Sequence, residues 1–329
     1  MARQADRAGA SGPLRRFAFF LAFGLLRVVF ASAGLLPYRV RIPVSGWVMA
    51  QVLVPVSGQR RTMRRNLGFA FPGLDRAGLR RLLRAAPDNI GRTIAEIWSG
   101  PAFVDRVRDL VPEGPGFAAL RAARDAGRPV ILAGAHLGNY DAARAALIAQ
   151  GFPVGGLYQP MADPTFNRSY VRRIESIGKP LFPRGREGMA AMIRFLRAGG
   201  MLMIMTDLSV GGAPVLPFFG RPARTATTAA DLALKYGADL IPFYGIRQPD
   251  GLSFRVVIGA PVPHSDPLTM MQRLNDEVEA AVRAHPDQWL WVHRRWRRAR
   301  DKARGGPRGG SGAGSAAGAA ALEVGRSSR

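Results

Sequence analysis

Val130-Ile131-Leu132-Ala133-Gly134-Ala135-His136-Leu137-Gly138-Asn139-Tyr140-Asp141 is an apolar run that ends in His-x-x-x-x-Asp. The run reads as a buried strand, and Asn139 as the N-cap of a helix over 140–150. Residues five apart on one helix point about 140° away from each other. His136 and Asp141 therefore meet only if the histidine lies in the turn before the helix and the aspartate on its first turn. The punctuation predicts that arrangement, at the C-terminal mouth of a strand, where open α/β sheets bind ligands. A carboxylate touching one imidazole nitrogen fixes the tautomer and leaves the other nitrogen to take a proton. That suits a general base acting on a hydroxyl. The competing reading is a satisfied core histidine beside a helix-start carboxylate favoured by the helix dipole. Spacing alone does not choose between them.

Outward from this stretch, helix and strand patterns alternate. Helical periodicity covers 60–70, 75–84, 89–97 and 117–125. Strand 129–134 is followed by the helix carrying Asp141, a strand over 154–158, a helix over 164–177, a strand over 179–183 and a helix over 187–198. Strand 200–206, helix 225–236, strands 240–245 and 254–258 and helix 268–284 complete the series. Alternation of this kind predicts an α/β fold with a mostly parallel central sheet covered by helices on both faces. Three features fall at its ligand face: the His136/Asp141 pair, Arg184 and Arg186 just after a strand, and Asp207 at the end of 200–206. Arg184 could grip a phosphate bidentately or stabilise a developing oxyanion.

The organisation expected is a basic, disordered stretch over 1–13, a membrane-associated apolar segment over 14–58, an α/β domain over 59–299 and a Gly/Ser/Ala/Arg-rich flexible tail over 300–329. The run at 17–36 has the length that spans a bilayer. Arg27 costs it about 2.5–3.5 kcal/mol, which half a dozen large apolar side chains at about −0.3 to −0.6 each can offset. A helix lying in the interface is the alternative. A cleavable signal peptide fits poorly, because no small-residue cleavage site follows an uninterrupted apolar stretch.

The 329 residues carry no cysteine, which excludes disulfides, thiolate zinc sites and a thioester on the enzyme itself. The formal net charge is +24, and only three of the 47 basic residues are lysines (Lys179, Lys235, Lys302). Such a surface attracts anionic partners: phospholipid headgroups, phosphorylated glycolipids, an acidic carrier protein or nucleic acid. No nucleic-acid-binding motif is present, and the apolar N-terminal stretch is out of place for that class. The absence of a Gly-x-Ser-x-Gly elbow counts against a serine hydrolase. Near the C-terminus, Pro286-Asp287-Gln288-Trp289-Leu290-Trp291-Val292-His293-Arg294-Arg295-Trp296 joins tryptophan to arginine. That pairing fits a membrane interface, and equally a C-terminal helix whose tryptophans fill the core.

In order along 14–298, several segments resemble one family, the late (lauroyl/myristoyl) acyltransferases of bacterial lipid A biosynthesis, within the lysophospholipid acyltransferase superfamily. They are His136-Leu137-Gly138-Asn139-Tyr140-Asp141 (an HX4D motif), Tyr158-Gln159-Pro160, Pro183-Arg184, the region at Asp207, Pro217-Phe218-Phe219-Gly220 with Thr225–Thr228, and the Trp/Arg ending. The resemblance implies an O-acyltransferase at the inner membrane, its active site facing the cytoplasm. A fatty acyl chain would pass from acyl carrier protein, or acyl-CoA in relatives, to a hydroxyl of a lipid A precursor. It implies no metal and no organic cofactor. On this chain His136 is the base and Asp141 its orienting acid. Backbone N–H groups at Gly138 and Asn139, with Arg184, are oxyanion donors, and Arg172, Arg173 and Arg186 bind phosphates of the glycolipid or the acidic carrier. Asp207 belongs on the acceptor side. Asp141 stands where the lipid A enzymes usually carry Glu, so another lysolipid or a mannosylated phosphatidylinositol is the alternative acceptor.

Overall fold

The computed structural model describes residues 36–161 and 164–296. Of the N-terminal apolar run, 17–35 lies outside them, as do the stretch 1–13 and the tail 300–329. The first helix among the described residues, α1 (Tyr38–Ser57), is apolar and 20 residues long, enough by length and composition to cross a membrane. It contains one π-helical turn, Met49–Leu53. α2 (Gln59–Ala70) leads to α3 (Arg76–Trp98). Where the sequence pattern breaks into two helices around Pro87, the structure has one helix of 23 residues. An interior proline costs a helix about 3 kcal/mol. Here tertiary burial offsets that cost: Leu82, Leu83 and Ala86 enter the core ahead of it, and Asn89, Thr93 and Glu96 enter a buried polar network behind it. α3 also packs closely on α1, since a Cβ on Gly91 would lie 2.4 Å from the Ser45 carbonyl.

α4 (Pro101–Val107), a short helix the sequence pattern did not show, and α5 (Phe117–Asp125) precede the sheet. β1 (Val130–Gly138) is buried at all nine positions. α6 (Tyr140–Ala149), β2 (Val154–Tyr158), α7 (Pro164–Ile177), β3 (Leu181–Pro183), α8 (Arg186–Arg197) and β4 (Met201–Met205) follow. A hairpin of β5 (Val215–Phe218) and β6 (Arg221–Arg224) leads to α9 (Thr228–Tyr236), β7 (Asp239–Arg247), β8 (Phe254–Ile258) and α10 (Pro267–Ala284). The main sheet runs β3-β2-β4-β1-β7-β8. Its pairs are parallel except β7 with β8.

Alternate residues of β1 serve opposite faces. Ile131 and Ala133 join one core with α8, α9 and α10, while Val130 and Leu132 join another with α5 and α6. Both faces are therefore covered, which explains why the strand reads as an unbroken apolar run. The chain leaves β1 toward β2 on one side and leaves β4 toward β7 on the other. β1 and β4 are neighbours, so the switch point of the sheet, where α/β proteins form their crevice, lies at their carboxyl ends.

The Pro217–Pro222 stretch is a hairpin. Pro217 and Pro222 face each other across a two-stranded sheet, where a missing N–H is tolerated. Phe219 (φ +54) and Gly220 (φ +64) make the mirror-image turn that strand twist favours. Positive φ is uncommon for phenylalanine. Edge contacts with Phe71 at 5.7 Å and Trp291 at 6.3 Å hold the ring there.

The tryptophan-rich ending is neither a helix nor an interfacial belt. Trp289, Trp291 and Trp296 are 1%, 0% and 4% exposed and form an aromatic core with Phe218 and Phe219. Arg295 is buried with them, donating to Thr225 Oγ1 at 2.8 Å, and burial lowers its pKa to about 10.

Candidate active site

His136 lies inside β1, not in the turn after it. Gly134 pairs with Phe243 of β7 and Gly138 with Gly245, so the intervening stretch of β1 bulges against a shorter stretch of β7. Bulges re-aim side chains, and this one carries His136. The chain turns out of it at Gly138 (φ +62), where a Cβ would lie 2.0 Å from the Gly245 carbonyl oxygen. Only glycine fits.

Asp207 follows β4, next to β1 in the sheet. His136 Nδ1 lies 2.8 Å from Asp207 Oδ1, and the His136 backbone N–H donates to Asp207 Oδ2 at 2.9 Å. Trp289 Nε1–H donates to the same Oδ2 at 2.9 Å. Burial alone pushes the Asp207 pKa up. The neighbouring His136 charge and the hydrogen bonds from His136 and Trp289 outweigh burial and hold it at about 2, below the ordinary 3.8. An ionised carboxylate only accepts, so the proton between the two side chains sits on Nδ1 and the basic lone pair on Nε2.

Asp207 lends the fold stability that is complete above pH about 4 and is lost as pH falls through about 2. Trp289→Phe keeps the ring contacts with Trp291 (4.6 Å) and Phe218 (5.6 Å) but removes one donor. It is expected to cost about 1.5–3 kcal/mol at neutral pH and to move the acid loss to higher pH. Melting temperature followed between about pH 2 and pH 5 measures both effects. An unchanged acid midpoint would show that the indole does not hold the carboxylate.

Asp141 does lie on the first turn of α6, and Asn139 does cap that helix, its Oδ1 accepting from the N–H groups of Asp141 (3.0 Å) and Ala142 (3.3 Å). The Asp141 carboxylate, however, accepts from Arg144 Nε at 2.7 Å, in a pair whose side chains are 5% and 1% exposed. Arg144 also donates to the carbonyls of Gly178 and Ile174, at 3.0 Å each, around the end of α7. The carboxylate on His136 Nδ1, read from spacing as that of Asp141, is that of Asp207, which was expected on the acceptor side. Asp141 remains beside the histidine. Both line a cavity of about 50 Å3 walled by Tyr140, Tyr158, Met203 and Met205. That is room for a water or two, and an alkyl chain enters only if the walls part.

The expected oxyanion donors are engaged elsewhere. Gly138 N–H donates to the Gln288 carbonyl (3.1 Å) and Asn139 N–H to the Gly245 carbonyl (2.8 Å). Parallel pairing of β1 with β7 and the docked C-terminal segment consume both. Arg184 is exposed at the cavity rim, its Nη1 3.3 Å from Oε1 of the cavity-lining Gln159. Arg172, Arg173 and Arg186 are exposed and do not line the cavity.

A buried polar network grips the turn after His136. Asn139 Nδ2 donates to Glu96 Oε2 at 2.8 Å, and Arg247 binds both Glu96 oxygens, at 2.5 and 2.7 Å. Arg247 Nε donates to Asn89 Oδ1 (2.7 Å), while Asn89 Nδ2 (3.2 Å) and Thr93 Oγ1 (3.0 Å) donate to the Gly138 carbonyl. Glu96, Arg247, Asn89 and Thr93 went unnoticed in the sequence. Glu96, a lone acid within Ile94-Ala95-Glu96-Ile97-Trp98, was the available signal.

The family description of bacterial lipid A biosynthesis acyltransferases matches residues 10–298. A lipid A biosynthesis lauroyltransferase of Escherichia coli (strain K12) is 25% identical over 72% of this chain and 78% of its own. A lipid A biosynthesis acyltransferase of Haemophilus influenzae is 25% identical over 85% and 91%. A phosphatidylinositol mannoside acyltransferase of Mycobacterium tuberculosis is 27% identical over 65% and 70%. The chain belongs to the bacterial lipid A biosynthesis acyltransferase family. It is an O-acyltransferase that acts on a lipid acceptor.

Proposed function

We propose that the protein transfers a fatty acyl chain from acyl carrier protein, or acyl-CoA, to a hydroxyl of a lipid A precursor, with His136 as general base and Asp207 as the acid that orients it. The observation that carries this reading is the 2.8 Å contact between His136 Nδ1 and a buried, ionised Asp207. Nε2 takes the proton of the acceptor hydroxyl, and the oxygen attacks the thioester carbonyl carbon. The tetrahedral intermediate collapses, the C–S bond breaks, and the leaving thiolate takes the proton back from Nε2. Asp207 stays ionised and stabilises the transient imidazolium. Base catalysis of this kind typically contributes 10²–10⁴-fold.

The cavity walls suit an acyl donor. Met203, Met205, Leu157 and Leu181 present apolar surface next to the base, and methionine yields easily to a new occupant. Asp141, with Arg144, forms the polar side of that wall. Arg184 at the rim is the cation available to anionic substrate groups, and Arg172, Arg173 and Arg186 extend the basic surface outside it. The enzyme works at the inner membrane with its active site on the cytoplasmic side. The length and apolar character of α1, with the apolar run preceding it, support the membrane association in this reading.

Mass spectrometry of membrane lipids with and without the gene tests the acceptor. Loss of one secondary acyl chain from lipid A is expected. A change confined to phospholipids or mannosylated phosphatidylinositol would overturn the lipid A assignment in favour of the second acceptor class. Asp141 and the overlap with the mannoside acyltransferases favour that class.

A further inference from the structure

A second and far larger opening, of about 1080 Å3, lies beside α3, α1 and the carboxyl end of β7, and His136 does not line it. Its α3 wall carries Arg80, Arg81 and Arg84, a three/four-residue spacing that puts them on one helix face. All three are exposed. The nearby acids are engaged elsewhere: Asp88 with Arg92, buried Glu96 with Arg247, and Glu113 with Arg255 at 3.3 Å. None of the three guanidinium groups has a carboxylate partner among the described residues. Asp287 is the one further acid of the lining.

α1 contributes Trp47, Ala50 and Gln51 to the lining. Trp47 lines the cleft and is 58% exposed, and Val40 (45%) and Val44 (37%) continue its face along α1. The apolar run 17–36 leads directly into that helix. Unmatched arginines in a concavity recognise phosphate bidentately. A tryptophan beside them belongs at headgroup depth. An acidic protein partner would use the arginines but leave the Val40–Val44–Trp47 stripe in water, at odds with hydrophobic burial.

We propose that this cleft binds the phosphorylated headgroup of a membrane lipid, with Arg80, Arg81 and Arg84 on the phosphate and the acyl chains along Val40, Val44 and Trp47. The site is separate from the reaction at His136 and does not depend on that mechanism.

Tryptophan quenching tests it with the full-length protein in mixed micelles, using phosphatidic acid or phosphatidylcholine with brominated acyl chains. Trp47→Phe identifies the share of the signal that comes from the rim. Phosphatidic acid is expected to quench Trp47 at a roughly tenfold lower mole fraction than phosphatidylcholine, a difference of about 1.4 kcal/mol. Arg80→Gln/Arg81→Gln/Arg84→Gln should erase that preference without moving the melting temperature. The matching triple lysine variant should keep most of it, and His136→Ala all of it. Equal quenching by the two lipids, or a preference surviving the triple glutamine variant, would overturn the proposal. So would soluble glycerol 3-phosphate competing as well as the lipid, or an acidic carrier protein shielding Arg80–Arg84 from phenylglyoxal where phosphatidic acid does not.

Discussion

His136→Ala is expected to reduce acyl transfer by the purified protein to background, and Asp207→Asn to lower kcat nearly as far, by about 10³–10⁴-fold. The two fail for different reasons. Alanine removes the proton acceptor. Asparagine at 207 offers an N–H to Nδ1, so the imidazole carries its proton on Nε2, where the base lone pair is needed, and loses the anion that stabilises the imidazolium. Asp141→Asn is the contrasting case. It weakens the clamp of Arg144 on the end of α7, so it is expected to lower the melting temperature while kcat per folded molecule stays within about tenfold. Activity and melting temperature measured on the same preparations separate the two carboxylates, with the pH dependence of kcat as a further readout. If Asp207→Asn turned over normally while Asp141→Asn was dead at full stability, the orienting role would return to Asp141.

Glu96→Ala is expected to cost about 3–5 kcal/mol, the scale for stranding one member of a buried ion pair. Glu96 is 0% exposed and Arg247 7%, and the loss would leave the guanidinium with only neutral partners and Asn139 Nδ2 without its acceptor. Because Asn139 caps α6 and follows Gly138, the site loosens with the fold. For a body of this size the change corresponds to a fall in melting temperature on the order of 10 °C. Replacing both members with methionine should recover much of the loss, since a well-packed apolar pair removes both desolvation penalties. Thermal melts of Glu96→Ala, Arg247→Met and Glu96→Met/Arg247→Met decide the matter. Single variants within about 1 kcal/mol of the parent would show the network to be dispensable.

The local parts of the molecule were legible from residue order. The capping role of Asn139, the strand at 154–158 and the helices at 117–125 and 164–177 depend on neighbours a few positions away, and the structure reproduces them. Alternation of apolar strands with amphipathic helices likewise established the α/β class and its mostly parallel sheet. Pro87 misled the reading of α3, because a local breaker was overruled by burial that periodicity does not register. Tryptophan beside arginine read alike for a membrane belt and for a core, since composition does not say what lies opposite.

The sequence alone determined that a histidine sits at the mouth of a buried strand before a capped helix, because strand, cap and helix start are short-range properties of the chain. Which acid holds that histidine was decided only by tertiary structure. Asp207 is 71 positions away and reaches His136 through the pairing of β4 with β1, and Trp289, 82 positions further on, reaches Asp207 by docking the C-terminal segment over the sheet. Spacing along the chain carries no information about which strands become neighbours. Hydrogen-bonded register and core packing do, and they bring His136 and Asp207 together.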